Sequence, residues 1–171
     1  MKVLIHDLNE QNLSFPAEIE KDFVMVNANG AFAYCTGCFK CWLKTPGTCV
    51  INDRIKNIGA LLGNSDETII ISRNNYGGYS EQVKRILDRS ISGNMPFFTY
   101  RSWKMRHIKR YKFDRKRLVV ILYGNFLESE IKTAELIVEA NRSNMGFEEV
   151  KLHITEQADQ TGRILNEYIG N

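Results

Sequence analysis

Four cysteines fall in one short stretch, at Cys35, Cys38, Cys41 and Cys49. The first three recur every third residue, the fourth follows after seven more, and Gly37, Pro46 and Gly47 lie among them. Thiolates so spaced can converge on one centre. Closely spaced cysteines with a more distant fourth are a usual way to hold an iron–sulfur cluster, because a tight loop aims several sulfurs at different corners of a cube. Gly37 and Gly47 would let the backbone bend around it. Tetrahedral zinc competes, although zinc sites usually bring two Cys-x-x-Cys pairs about a dozen or more residues apart. Small buried packing residues or unligated thiols are the third reading.

The elements that must position these sulfurs can be read from apolar patterning. Short β-rich runs recur at Lys2–His6, Phe23–Asn27, Thr68–Ser72, Leu118–Tyr123 and Val150–Ile154, most of them separated by helical stripes. The stripes are Val83, Ile86, Leu87 and Ser90 behind a Ser80 N-cap; Ile131, Ala134, Val138 and Asn141; and Ile164, Leu165 and Tyr168. A further helix is expected over residues 54–63, capped by Asn52 or Asp53. The first four runs alternate little, as strands covered on both faces do, so the expectation is a parallel sheet between two helical layers. Between His6 and Phe23 there is room only for a turn or two of helix at Ala17–Asp22, behind Pro16.

The expectation is therefore a doubly wound α/β sheet of five strands with a truncated first helix. Ligands of such a sheet bind outside the carboxyl ends of its strands, here residues 7–13, 28–50, 73–79 and 124–127.

Composition fits an ordinary globular chain: 43% hydrophobic and 25% charged, which excludes disordered and fibrous classes. At 171 residues the core needs no disulfide or structural metal to compensate for small size. A net charge of +3 gives no general reason to expect nucleic acid or an anionic membrane as partner. Val3-Leu4-Ile5 is too short for a signal-peptide core, and no run approaches membrane-spanning length. The expectation is a cytoplasmic protein, where clustered thiols point to metal or redox chemistry rather than disulfides.

The stretch from Cys35 through Cys38, Cys41, Pro46, Gly47 and Cys49 to Asp53 resembles the cysteine segment of NADPH-dependent FMN reductase-like proteins, including the iron–sulfur flavoproteins. Ser72-Arg-Asn-Asn-Tyr76-Gly77-Gly78-Tyr79-Ser80, followed by Lys84 and Leu87-Asp88-Arg89, is similar to that family's loop and helix after the third strand. The resemblance implies a flavodoxin-like three-layer α/β fold over residues 1–171 with five parallel strands in the order 2-1-3-4-5, FMN as bound flavin, NAD(P)H as electron donor, a 4Fe-4S cluster on the four cysteines, a small-molecule or protein electron acceptor, and assembly into homodimers or larger homo-oligomers. The flavin would lie against Ser72, Asn74, Tyr76, Gly77, Gly78 and Tyr79 on one loop and Tyr123, Gly124 and Asn125 on another. Glycine lets backbone approach the ring and an aromatic packs beside it. The cofactor would carry the chemistry, so no side chain is singled out as catalytic.

One requirement is met poorly. A flavin phosphate wants backbone N–H donors and a helix N-terminus, which the family provides after its first strand. Here the segment is His6-Asp7-Leu8-Asn9-Glu10-Gln11-Asn12, without glycine and with two carboxylates that would repel an anion. The basic stretch at residues 101–117, with Arg101, Arg106, His107, Lys109 and Arg110, offers a substitute phosphate site or a receiver for NADPH phosphates. A solvated surface loop is the commoner fate of such a run. Its interleaved aromatics also resemble single-strand nucleic-acid platforms, but no recognition module accompanies them. The rival to a flavin-dependent oxidoreductase is a non-enzymatic metal- or partner-binding protein that has lost FMN.

His6, His107 and His153 stand too far apart in sequence to suggest a ligand set, and Trp42 is read as a packing anchor.

Overall fold

The computed structural model describes residues 1–9, 15–101, 103–111 and 114–169, with the main chain alone at Lys116 and Ile169. In chain order the elements are β1 (Lys2–His6), α1 (Ala17–Asp22), β2 (Phe23–Asn27), α2 (Lys40–Leu43), α3 (Ile58–Gly63), β3 (Glu67–Arg73), α4 (Glu81–Arg89), β4 (Asn94–Arg101), β5 (Lys104–Lys109), β6 (Arg115–Tyr123), α5 (Glu128–Met145), β7 (Phe147–Thr155) and α6 (Gln160–Ile169). A 3-10 turn, Ser90–Gly93, joins α4 to β4.

Five strands form one parallel sheet in the order β2-β1-β3-β6-β7, and β4 pairs with β5 in a separate antiparallel hairpin. Counted over the sheet alone, the order is the expected 2-1-3-4-5. The hairpin is an insertion in the crossover from α4 to β6. Register is pinned by side chains buried on both faces, as in Ile5 opposite Ile70 and Ile70 opposite Val120.

One face of the sheet packs Val3, Ile5, Ile70, Val120 and Leu122 beneath α3, α4 and α5. The other packs Leu4, Ile69, Ile71, Val119 and Ile121 beneath Ile19 of α1 and Leu165 of α6. Together they make the flavodoxin-like three-layer fold. The central strands are continuous apolar runs, whereas β2 at the sheet edge alternates and exposes Val24, so only three of the first four runs are covered on both faces.

Several local readings hold. The short α1 covers Ala17–Asp22, and the Ser80 hydroxyl accepts from Val83 N at the start of α4. Two differ. The helix expected over 54–63 begins only at Ile58, because Asp53 folds the preceding residues into a turn: its carboxylate accepts from Ile55 N at 3.2 Å and its carbonyl from Lys56 N. Much of the basic stretch is not a solvated loop: Lys104–Lys109 forms a hairpin with Asn94–Arg101, and Arg115 opens β6. The hairpin exposes Phe97, Phe98, Tyr100 and Trp103, whereas Lys109 is half-buried and Arg115 buried.

Candidate functional site

The loop carrying the cysteines begins at the carboxyl edge of the sheet and does not stay there. Asn29 is tied to the end of β1 through the carbonyls of Asp7 and Leu8. Arg54 then holds the carbonyls of Asn27 and Asn29, each at 2.6 Å. Further on, Tyr34 donates to Glu81 at the start of α4, the Ala33 carbonyl accepts from Arg89 at its end, and Trp42 donates to the Ile91 carbonyl beyond it. Residues 33–42 thus pack beside α4 and the turn that follows it. Trp42 is the packing anchor expected, stacked on Phe39 and tilted against His107 of β5.

At the far end lies a cleft of about 480 Å³ lined by all four cysteines. It is floored by the carboxyl ends of α3, α4 and α5 and the start of β6, among them Gly63, Arg89, Met145 and Arg115. This is the amino edge of the sheet, opposite the edge at which the topology leads one to look. Cys35 and Cys38 are exposed, Cys49 is half-buried and Cys41 is buried. Gly37 and Gly47 both take positive φ, 63° and 90°, and a side chain at 47 would strike the Tyr111 hydroxyl.

The sulfurs feel one another. Burial pushes the Cys41 thiol up, and the charges of Cys49, Cys35 and Cys38 add to the rise. The exposed Cys38 goes the other way, lowered by the Lys40 main-chain N–H and the Thr36 hydroxyl.

One cation is built into the wall. Arg89 is 1% exposed and grips Asp53 through two bonds at 2.8 and 2.9 Å and the carbonyls of Ala33 and Ile51, with Cys49 near enough to act on its charge. Although burial works against its charge, the Asp53 bonds and the Cys49 sulfur keep the guanidinium ionised. Arg89 thus ties the start of the loop to its end. The sequence signal was an arginine three residues after Ile86, on the buried side of an amphipathic helix.

Four cysteines on one cleft beside a buried guanidinium are the donor type an iron–sulfur centre takes. Among the described residues, however, no three His, Cys, Asp or Glu side chains are gathered closely enough to hold a metal ion.

The carboxyl edge carries the other predicted residues, and there the structure brings two loops together. Asn74 donates to the Asn125 carbonyl at 2.6 Å and to Glu130, and its side-chain oxygen accepts from Gly77 N. Gly77, at φ 79°, approaches the Glu130 carbonyl so closely that a Cβ would lie 2.5 Å from it. Gly78 closes the turn against Asn75. Tyr76 is 83% exposed at the tip. Gly124 and Asn125 line a more open depression of about 790 Å³ with His153, Thr155 and Arg163. Ser72 and Tyr79 face inward instead: the Ser72 hydroxyl accepts from Ser80 N, and the buried Tyr79 hydroxyl accepts from Asn141 and is pushed up to about 12 by burial.

At the end of β1 a side chain takes the donors that a phosphate would use. The Asp7 carboxylate, 7% exposed, accepts from Arg73 N at 2.9 Å, from Tyr123 OH at 3.0 Å and from the Ser72 hydroxyl at 3.4 Å. Tyr123, a candidate flavin residue, is therefore committed to Asp7. Asp7 thus occupies the donors at the end of β1 that a flavin phosphate would need; Glu10, Gln11 and Asn12 lie outside the described residues.

Among the described residues no helix is long and apolar enough to cross a membrane. Compared with protein-family models and with curated proteins, the chain matches none.

Proposed function

We propose that the protein is an oxidoreductase or electron-transfer protein centred on the four-cysteine cleft, with Cys35, Cys38, Cys41 and Cys49 holding a 4Fe-4S cluster. The observation that carries this reading is that all four sulfurs line one cleft beside the buried Arg89. A bound cluster exchanges single electrons. The chain's own contribution is to tie both ends of the loop together through Arg89, and to bury Cys41 while leaving Cys35 and Cys38 at the mouth.

A flavin-dependent form of this reading adds FMN at loops 73–79 and 123–126 and NAD(P)H as donor. It is supported by the joining of those loops through Asn74 and by the exposed Tyr76. Asp7 speaks against a phosphate at the end of β1, so no step is routed through flavin. The same observation favours the second reading, a metal- or partner-binding protein on this scaffold that no longer takes FMN.

Anaerobic purification, an absorption spectrum, and assays of iron, acid-labile sulfide, zinc and flavin decide between them. Iron and sulfide near four per chain support the redox reading. Stoichiometric zinc, or a colourless protein that takes up neither iron with sulfide nor FMN, overturns it.

A further inference from the structure

The cleft that the cysteines line is cationic on another part of its wall. Lys109, the last residue of β5, and Arg115, the first of β6, both reach it. Lys109 is half-buried; its ammonium donates to the Asn94 side-chain oxygen at 2.8 Å and to the Asn144 main-chain carbonyl, which leaves one N–H of three. Among the described residues no carboxylate pairs with it. Arg115 is 4% exposed, donates to the Gly63 carbonyl at 2.9 Å, lies over the Phe147 ring and feels the charge of Asp66. Burial, with the charges of Arg115, Arg101 and Arg106 adding to it, brings Lys109 down to about 8.

A half-buried ammonium with no acidic partner, crowded by three guanidiniums, is costly in a protein with nothing bound; a doubly charged anion offsets both the burial and the repulsion. Oxyanions answer this donor set best, since Arg and Lys together satisfy phosphoryl oxygens. The cleft is of a size that accommodates a nucleotide.

We propose that the cysteine cleft binds the phosphoryl group of a small-molecule ligand between Lys109 and Arg115, at the amino edge of the sheet. The phosphate contact is thus removed from the end of β1, where Asp7 excludes it. The site does not rest on a cluster being present: a protein without iron can bind phosphate there, and an iron-loaded one can fail to.

The test is calorimetric titration of the full chain as purified, with iron, zinc and flavin measured on the same sample, using pyrophosphate, FMN, riboflavin and NADPH as probes. Pyrophosphate binding that Lys109→Gln weakens about tenfold or more, and that Lys84→Gln on the exposed face of α4 leaves unchanged, supports the site. Displacement of pyrophosphate by FMN and not riboflavin identifies a flavin mononucleotide as the phosphoryl source. Displacement by NADPH identifies a dinucleotide, and displacement by neither identifies a simple phosphate. A measurement that needs no variant is acetylation of lysines read by peptide mass spectrometry, in which pyrophosphate shields Lys109 and not Lys84. The proposal is overturned if no probe binds at millimolar concentration, if Lys109→Gln binds as the parent does, or if Lys109 is acetylated equally with and without pyrophosphate.

Discussion

The Tyr123 hydroxyl donates to the Asp7 carboxylate at 3.0 Å, across 116 residues of sequence. It joins the end of β6 to the end of β1 with β3 between them, and the Arg73 N–H of β3 donates to the same carboxylate. One acid therefore laces three strand ends together. Burial, with Asp7 adding to it, raises the Tyr123 phenol well above its ordinary range, so the phenol remains the donor and Asp7 the acceptor.

Asp7→Ala is expected to lower stability by about 2–3 kcal/mol, because it leaves the Tyr123 hydroxyl and the Arg73 N–H without their acceptor near the sheet edge. Asp7→Asn keeps one acceptor oxygen and is expected to lose about half as much. Urea unfolding of the two variants checks the order; equal losses would show that acceptance by the side chain is not what matters.

Arg89 and Asp53 give a second expectation. Arg89→Met removes one partner of a buried pair and is expected to cost about 3 kcal/mol. The hydrogen bonds from Arg89 hold the Asp53 carboxyl below its ordinary value. A carboxyl depressed in the folded state contributes fully above its unfolded pKa, about 3.9, and loses that contribution as pH falls through the folded value. The stability difference between the parent and Asp53→Asn should therefore be flat from pH 7 to 5 and shrink below about pH 4. Denaturant titrations across that range measure it.

The sheet was legible in the sequence because buried parallel strands must be continuous apolar runs, and Val3-Leu4-Ile5, Ile69-Ile70-Ile71 and Leu118–Leu122 have no other economical placement. The Ser80 cap and the short α1 follow from equally local chemistry. The hairpin was hidden because Lys104–Lys109 is interleaved with charges and Phe97 to Tyr100 bury few side chains in the main core. The start of α3 was misjudged by four residues because Asp53 turns toward Arg89, a contact 36 positions away that no local pattern encodes. For the same reason the cysteine spacing could not reveal on which edge of the sheet the cleft lies. That depends on Ala33, Asp53 and Trp42 meeting α4 and the turn beyond it.

The thiols should not react alike. Cys38 is exposed and its thiol is lowered by the Lys40 N–H and Thr36, whereas Cys41 is buried and raised. Since the thiolate is the reacting form, iodoacetamide at pH 7 is expected to modify Cys38 before Cys41 in metal-free protein, by about tenfold or more in rate. Peptide mass spectrometry over a time course reads it, and protection of all four together on reconstitution with iron and sulfide would tie them to one centre. Equal rates at Cys38 and Cys41 would contradict the burial that distinguishes them.

Lys109 yields the expectation with the clearest sign. Its folded value, about 8, lies below the ordinary lysine value of 10.5 because burial disfavours the ammonium and Arg115 on β6, Arg101 on β4 and Arg106 on β5 repel it. Between those two pH values the unfolded chain holds a proton there that the folded protein has shed, so this group makes stability rise with pH. Below about pH 8 the folded protein carries the whole penalty. Lys109→Met removes it and should be more stable than the parent at pH 7, by on the order of 1–2 kcal/mol after the loss of the bonds to Asn94 and Asn144. The advantage should vanish between about pH 8 and 10.5, a window that comparing the two proteins isolates from tyrosine ionisation common to both. Saturating pyrophosphate should restore the parent's stability at pH 7 and leave Lys109→Met nearly unaffected, because the anion stabilises only a folded state whose ammonium it neutralises. Paired urea titrations at pH 7 and pH 10, with and without pyrophosphate, measure all four corners of this comparison. A parent whose stability relative to Lys109→Met does not move with pH would show that the ammonium is better solvated than its place in the cleft requires.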